Sequence, residues 1–435
     1  MANYGSARDL TLSNLADEYA RRGLGTLSDA QLIDEVAAVL SEPKVEPADS
    51  FVLHAPLELL ARAALLRYLP PAARPRARMR LAALAAEYQA AGAPAQQGVE
   101  RTAGSRGDSL AETATRLGAA IAGGEFDDID AAADRLGQVA TPTQLCRLLA
   151  EDLLPRLAAA GHAPIFLFAY PRIVPQGGAC GRMLRGLARE LGRNPQARIT
   201  WFTNTESVPP AAQQLLDLLI DVPAYGRPEV FFIEPTMRQV DANADARRRL
   251  HGATRGPIDI AAARTVLQRV AAWSMLQEPP DQAPYGWTHC LTMPQAVLGL
   301  QTFCRDPALA LEVAATHVLG FRNAIGTVKL APGYEPADPP ATSNLTEALA
   351  GSPTAAASAV YHAPASDQAQ VIARLATSAS LQHDAHLVKY VLACLDAAGE
   401  DPGARRLYLA AAASLVAWWN QHPDESDPLP PGAGA

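Results

Sequence analysis

The chain has 435 residues, a formal net charge of −8 and 49% hydrophobic residues. A chain of this length buries a large core, as one big domain or as two closely packed ones. The acidic balance argues against nucleic acid or an anionic membrane as the main partner. The longest uncharged apolar run, residues 407–419, is too short to cross a bilayer, so we expect a cytoplasmic protein.

The composition predicts the fold class. Alanine dominates, valine and isoleucine are comparatively few, and prolines lie mostly between helix-like runs, which favours an all-α protein. We expect one large multi-helix, bundle-like domain over residues 46–422, after a helical extension over 1–45 and before a disordered tail over 423–435. The five scattered cysteines lack a CxxC spacing and are typical of reduced core thiols.

The first third of the chain shows helix signals in succession. Two amphipathic helices are predicted within residues 1–45, and Ser28 is a plausible cap for the second. A further helix follows Asp49 and extends to about Tyr68. Thr141 is a typical N-cap residue for another helix. The arginine cluster at residues 74–80 is expected on a solvated helix surface.

The middle of the chain is harder to interpret. The segment from His162 to Ile173 is apolar and aromatic, and its periodicity does not separate a strand from a helix. A glycine-rich segment at residues 177–181 precedes an apolar run from Ile199 to Phe202 that we predict as a short strand. This order imitates a nucleotide-binding unit, but two prolines intervene and the glycine spacing of the dinucleotide fingerprint is absent.

The helix predicted at residues 384–398 carries an unusual pair of side chains. It is apolar on nearly every side, which is typical of a buried helix, and His386 and Lys389 project from one face. A buried lysine must be paired, neutral or modified, because an isolated ammonium costs too much there. Two ordinary explanations stay open: an ion pair beside a satisfied core histidine, or a face that is exposed after all.

Other histidines lie at helix-like positions. His54, His162 and His362 each begin a His-Ala-Pro triplet, and proline favours the first turn of a helix, so each triplet is explained by a helix start alone. His289 and His317 lie in apolar helices. One histidine on an apolar face is usually a satisfied core residue, whereas several of them suggest a shared cavity.

Several of these segments resemble the questin-oxidase-like family, helical oxygenases of aromatic polyketide metabolism. The run at residues 223–240, which begins Pro-Ala-Tyr-Gly-Arg-Pro-Glu-Val-Phe-Phe, is similar to the family's loop of proline, glycine and aromatic residues that leads into a helix. His386-Leu387-Val388-Lys389 resembles its His-x-x-Lys signature. The segments around His54, His162 and His289 resemble its other three histidine motifs.

The resemblance implies a site and an activity. It implies a mononuclear iron centre held by His54, His162, His289, His386 and a carbamylated Lys389, with His386 and Lys389 also central to catalysis. Fe(II), or another transition metal, would work with O2 on an aromatic polyketide such as an anthraquinone, inserting oxygen into a ring or cleaving it. His317 and His383 are the nearest rivals as ligands.

Two alternatives stay open. Other members of the family have been described as NADPH-dependent Baeyer–Villiger-type oxygenases, so a metal-free enzyme that uses NADPH is the first. A non-catalytic helical protein that binds a small molecule is the second.

The chemistry of the predicted ligand set is consistent with a transition metal. Neutral imidazoles with one anionic oxygen suit Fe(II), Mn or Zn better than Ca or Mg. Carbamate formation needs an unprotonated amine, which burial of the lysine favours. We expect Asp384 or Asp396 to orient a ligand, and Trp287, Tyr170 and Phe166 to form apolar walls for a flat substrate.

Overall fold

The computed structural model describes residues 5–95, 108–173, 179–203, 215–255, 259–339, 344–425 and 427–429. These residues form α-helices joined by turns and short 3-10 segments, and none of them belongs to a strand, which confirms the all-α prediction. The chain divides into two compact units, residues 1–198 with 427–435 and residues 199–426. The extension, single domain and disordered tail expected from the sequence stay a prediction.

The first unit is helical, and several of its helices begin at a residue whose side chain caps them. Its described helices are α1 (Leu15–Arg21), α2 (Asp29–Leu40), α3 (Ser50–Leu65), α4 (Arg74–Ala90), α5 (Leu110–Gly123), α6 (Phe126–Val139), α7 (Pro142–Leu153), α8 (Ala163–Ile173) and α9 (Leu184–Arg193). Ser28 and Thr141 both form capping boxes, which confirms the two predicted helix starts. A 3-10 turn after α3 ends at Tyr68, as predicted.

The ambiguous segment after His162 is helix α8. Pro171 lies inside this helix and cannot donate a backbone hydrogen bond to the carbonyl of Leu167. The thiol of Cys146 on α7 donates to that carbonyl instead, at 3.4 Å. A side chain from a neighbouring helix therefore satisfies the group that the proline leaves open.

Not every arginine of the cluster at residues 74–80 lies on the solvated surface, so that expectation is wrong for Arg80. Arg80 is 2% exposed, and its guanidinium donates to both carboxylate oxygens of Asp427, at 2.6 and 2.9 Å. A buried charge needs such a partner, and this one lies more than 300 positions away in the chain. Residues 426 and 430–435 of the predicted tail lie outside the described residues.

The second unit is also helical. Its described helices are α10 (Leu215–Ile220), α11 (Ile233–Ala242), α12 (Ala244–Thr254), α13 (Ile260–Gln277), α14 (Thr288–Gly299), α15 (Pro307–Ile325), α16 (Leu345–Ala350), α17 (Pro353–Tyr361), α18 (Gln368–Leu381), α19 (Ala385–Glu400) and α20 (Arg405–Gln421). A π-helical turn, Ala283–Trp287, leads into α14. Helices α14 and α20 both pack on α19, which is buried along most of its length. In the described part of the chain, no helix is both long and apolar enough to cross a bilayer.

The strand predicted from Ile199 to Phe202 is wrong. The backbone amides of Thr200 and Trp201 both donate to the carboxylate of Asp241, at 2.8 Å, and a 3-10 turn follows. The indole of Trp201 donates to Thr316 at 3.0 Å. The carboxylate of Asp241 therefore accepts from the backbone amides that would have paired with a neighbouring strand. Residues 174–178, which include two of the glycines before this segment, lie outside the described residues.

Four cysteines are free thiols in the core: Cys146, Cys290, Cys304 and Cys394. Burial raises the pKa of Cys290 to about 12, so this thiol stays protonated near neutral pH. For these four, the expectation of reduced core thiols is confirmed. The side chain of Cys180 lies outside the described residues.

Two histidine clusters as candidate functional sites

The first cluster, His54 and His162, lies in the first unit. His54 is in the second turn of α3, and His162 directly precedes α8, which packs on α3. Both side chains are buried, and their ring centroids are 4.6 Å apart. One ring nitrogen of each lies within 4.8 Å of the other. Two imidazole nitrogens that bind one ion at about 2.1 Å are roughly 3–4 Å apart, so a small side-chain movement would suffice.

Both rings of the first cluster are held through Nδ1. Nδ1 of His54 lies 2.5 Å from the carbonyl oxygen of Ser50. Nδ1 of His162 lies 3.0 Å from the carbonyl oxygen of Ala159. A carbonyl only accepts, so Nδ1 carries the proton and the lone pair of the neutral ring is on Nε2. A histidine that binds a metal through one nitrogen and donates from the other has this arrangement.

The backbone in front of His162 is strained. Ala159, Ala160 and Gly161 follow one another with φ of 54°, 49° and 67°, in the left-handed region. This conformation costs a residue with a side chain about 1–2 kcal/mol. The turn is closed by a hydrogen bond from the Gly161 amide to the Leu157 carbonyl at 3.0 Å. Strain of this kind is concentrated at functional sites, which supports a functional position for His162.

The free space beside the first cluster is small. His162 and Phe166 line a cleft of about 40 Å³ together with Tyr88. Phe166 stacks on Tyr170 at 5.8 Å, and both rings are buried. The cleft is far below the roughly 300 Å³ of a typical ligand pocket, so it does not hold a tricyclic substrate. These two rings therefore act as core residues within this unit.

The second cluster, His289, His386 and Lys389, lies in the second unit. His289 is in the first turn of α14, and the other two residues are in the first turns of α19. The rings of His289 and His386 are 5.0 Å apart. Lys389 is only 5% exposed, so the explanation that its face is exposed is wrong. Burial and then the charge of Lys389 lower the pKa of His386, which favours its neutral form.

Both rings of the second cluster are also held through Nδ1. That of His289 donates to the carbonyl of Tyr285 in the π-helical turn. That of His386 lies 3.4 Å from Oδ2 of Asp384, whose Oδ1 accepts from the backbone amides of His386 and Leu387 at 2.7 and 3.0 Å. Asp384 is thus the N-cap of α19 and also contacts the ring of His386, while its role as an orienting group stays a prediction.

Asp384 is an anion in this setting. Burial works against its charge, yet the hydrogen bonds from the His386 ring and from two backbone amides outweigh it. Together they hold the pKa of Asp384 below its ordinary value. A carboxylate that accepts from Nδ1 increases the basicity of the ring and leaves the lone pair of the neutral ring on Nε2.

An aromatic rim leads from the second cluster to the surface. Tyr285 packs edge-on against His386 at 5.0 Å, and Phe321 lies nearly parallel to His289 at 6.3 Å. Phe231 contacts Phe321 at 6.5 Å. Tyr285 is 52% exposed and Phe231 is 38% exposed, so these rings connect buried imidazoles with solvent. We call Tyr285, Phe231 and Phe321 the aromatic rim.

Trp287 was expected to form a wall and packs in the core instead. It is 1% exposed, and the guanidinium of Arg322 lies 5.8 Å from its ring. Gly286 beside it has no room for a side chain, because an added Cβ would lie 2.3 Å from Ile325 and 3.5 Å from Phe231. The sequence did not lead us to predict the aromatic rim. One signal was present, because Tyr285 precedes His289 by four residues, the spacing that brings two helical residues together.

The loop at residues 223–232 is fixed on α15. Asn323 accepts from the Tyr225 amide at 2.9 Å and donates to the Gly226 carbonyl at 2.6 Å. Gln239 donates to the Tyr225 carbonyl at 2.9 Å. These bonds hold the loop that contributes Phe231 to the aromatic rim. The segment noted in the sequence for its aromatic residues therefore lies beside the second cluster.

The other histidines are less buried than these four, except for His317, whose Nδ1 has no hydrogen-bond partner in the described part of the chain. Nδ1 of His383 lies 2.8 Å from the carboxylate of Asp424, and His362 bonds the Pro336 carbonyl. His317 is buried on α15, and burial alone lowers its pKa to about 4. It is neutral at pH 7 and stays the nearest rival as a ligand.

Comparisons with known proteins found no relative of this chain. No protein-family model matches the chain, and no curated protein or solved structure is similar enough to match it. The questin-oxidase-like resemblance therefore stays a prediction.

Proposed function

We propose that the protein is a metal-dependent oxygenase that uses Fe(II) and O2 on a flat aromatic substrate such as an anthraquinone. One observation supports this proposal above the others: four buried histidines each place Nδ1 against a carbonyl or carboxylate of the adjoining backbone turn or helix cap. The sequence resemblance supports the full ligand set, which is His54, His162, His289, His386 and carbamylated Lys389.

The donor atoms fit such an ion. Neutral imidazole nitrogens are preferred by iron, manganese and zinc, whereas calcium and magnesium prefer oxygen. Lys389 would supply the single anion: its neutral amine adds to CO2, a C–N bond forms, and one proton leaves for solvent. The low exposure of Lys389 disfavours its charged ammonium form, because an isolated charge is costly to bury.

The side chains around the second cluster have separate roles in this proposal. A bound ion would supply a Lewis-acidic position for O2 or for a substrate oxygen. Asp384 and the Tyr285 carbonyl hold the His386 and His289 rings in the tautomer that binds through Nε2. The aromatic rim offers faces and edges on which a planar ring stacks.

The test is oxygen uptake by full-length protein loaded anaerobically with Fe(II), with hydroxylated anthraquinones as substrates. We expect uptake that requires both iron and substrate and does not require NADPH. Metal-free protein that oxidises NADPH when substrate is added would instead support a Baeyer–Villiger-type oxygenase. Tight substrate binding without turnover under either condition would support a binding protein.

A further inference from the structure

The second unit contains a larger cavity, of about 460 Å³, at the start of α20. Its walls include three arginines and three aromatic residues: Arg269, Arg405, Arg406, Trp273, Tyr334 and Tyr361. We call this cavity the basic pocket. Its volume lies in the range of small-molecule sites, roughly 300–1,000 Å³.

The basic pocket is separate from the second histidine cluster. His386 is at the beginning of α19, whereas Asp401, which anchors an arginine of the pocket, directly follows its last residue. The 16 residues of α19 span about 24 Å at 1.5 Å per residue. A ligand of the basic pocket would not touch the histidines.

The positive charge of the basic pocket is only partly compensated. Arg269 forms two hydrogen bonds to the carboxylate of Asp401, at 2.7 and 2.9 Å. Arg405 donates to neutral acceptors only, the Ala398 carbonyl at 3.2 Å and the Gln368 amide oxygen at 3.3 Å. Within the described part of the chain, Arg406 makes no ion pair.

The acidic groups at the basic pocket are fewer than the arginines. Glu335 lines it, and Asp401 neutralises Arg269. Three arginines against these two carboxylates leave a net charge of +1. Arg405 and Arg406, which have no carboxylate partner among the described residues, are adjacent in the chain.

The start of α20 adds to this positive field. Arg405 and Arg406 are its first two residues, its N-cap is Ala404 without a side-chain cap, and no acidic residue lies in its first turn. The helix dipole places positive potential at this end, so cations here are unfavourable unless an anion is present. The sequence thus puts two cations where a helix ordinarily places acidic residues.

From the cavity, the two uncompensated guanidinium groups and the aromatic walls, we propose that the basic pocket binds an organic phosphate of nucleotide size. The phosphate would accept hydrogen bonds from Arg405 and Arg406, since guanidinium groups bind phosphate in a bidentate manner. A planar base would contact Tyr334 and Tyr361, which are half-buried and line the same cavity.

The test is isothermal titration of the full-length protein with ADP, adenosine and inorganic phosphate. We expect ADP to bind at least 10-fold more tightly than either fragment, and added salt to weaken it, because salt screens exposed charges. In Arg405→Gln/Arg406→Gln, ADP affinity should fall at least 30-fold, while the melting temperature and metal content stay unchanged. The matched control is Arg248→Gln, an exposed arginine on α12, which should bind ADP normally.

Two results would overturn the proposal. One is ADP affinity in the double variant equal to that of the parent. The other is phosphate binding as tight as that of ADP, which would show an anion site without recognition of a ring. The pocket variants leave every proposed metal ligand intact, so oxygen uptake tests the oxygenase proposal independently.

Discussion

In both histidine clusters each ring is held by a contact at Nδ1, but the residues that surround the rings differ. The first has two imidazoles, a strained left-handed turn and a cleft of about 40 Å³. The second adds a buried lysine, a carboxylate that orients one ring, and aromatic side chains that reach solvent. A lysine, a carboxylate and exposed aromatic side chains are therefore features of the second cluster, whereas the first supplies only imidazole nitrogens.

The largest expected effect compares the clusters directly. His54→Ala and His386→Ala should each remove the metal and lower oxygen uptake more than 100-fold, because each deletes a proposed ligand. His251→Ala and His422→Ala, which alter histidines outside both clusters, should change neither value. Metal analysis by mass spectrometry is the measurement. If only His386→Ala loses the ion, the ion belongs to the second cluster alone, and the ligand set from the resemblance is wrong.

Lys389 separates a carbamate from an ion pair. Lys389→Arg should empty the site, because a fixed positive charge beside a divalent cation repels it and arginine does not take up CO2. Lys389→Glu should fold and keep part of the metal. If Lys389 worked as an ammonium, the arginine variant would be tolerated and the glutamate variant would lose about 3–5 kcal/mol of stability. Metal content and melting temperature of both variants distinguish these cases.

Asp384 tests the orienting contact that the second cluster receives from a carboxylate. Asp384→Asn should weaken metal binding about 10–100-fold, because the ring of His386 loses its anionic acceptor. Asparagine is also a good N-cap, so the stability of α19 should change little. Affinity is measured by competition with a chelator. Asp259→Asn, at the N-cap of α13, is the control, and equal affinity in both variants would argue against the orienting role.

The aromatic rim should affect the substrate and leave the metal in place. Tyr285→Leu and Phe231→Leu should each raise the KM for a flat aromatic substrate about 3–10-fold, in line with 0.5–1.5 kcal/mol per aromatic contact. The backbone carbonyl that holds His289 is kept in Tyr285→Leu, so the metal content should not change. An unaltered KM in both variants would place the substrate elsewhere.

The smallest expected effect concerns the strained turn of the first cluster. Ala159→Gly should raise the free energy of unfolding by about 1 kcal/mol, because glycine adopts a positive φ without strain. Ala111→Gly, at an exposed position in α5, should lower it by about 1 kcal/mol. Chemical denaturation measures both. The same sign for the two variants would show that the turn is not strained.

Local patterns made much of the fold predictable. The caps Ser28 and Thr141 follow from residue types a few positions apart, and α19 was predicted to be buried because almost all of its faces are apolar. Contacts between distant residues were not predictable in this way. Asp241 turns the apolar run at Trp201 into a 3-10 segment, and Asp427 allows Arg80 to be buried.

The same difference between local patterns and contacts of distant residues applies to the two histidine clusters. The sequence predicted His386 and Lys389 on one face of a buried helix, and it named Asp384 as an orienting group. It did not predict that Phe321, from another helix, lies against His289, because a side chain's neighbours across helices leave no local pattern. The Nδ1 contacts likewise depend on rotamers and became visible only in the structure.

The most direct measurement of the central claim is the metal content of the full-length protein, purified anaerobically with iron supplied. We predict about one first-row transition metal per chain in the parent, the ratio of a mononuclear site. We predict almost none in His289→Ala/His386→Ala, and a parent-like content in His251→Ala/His422→Ala. Substoichiometric metal in the parent under every condition, or full metal content in His289→Ala/His386→Ala, would contradict the claim that these histidines are ligands.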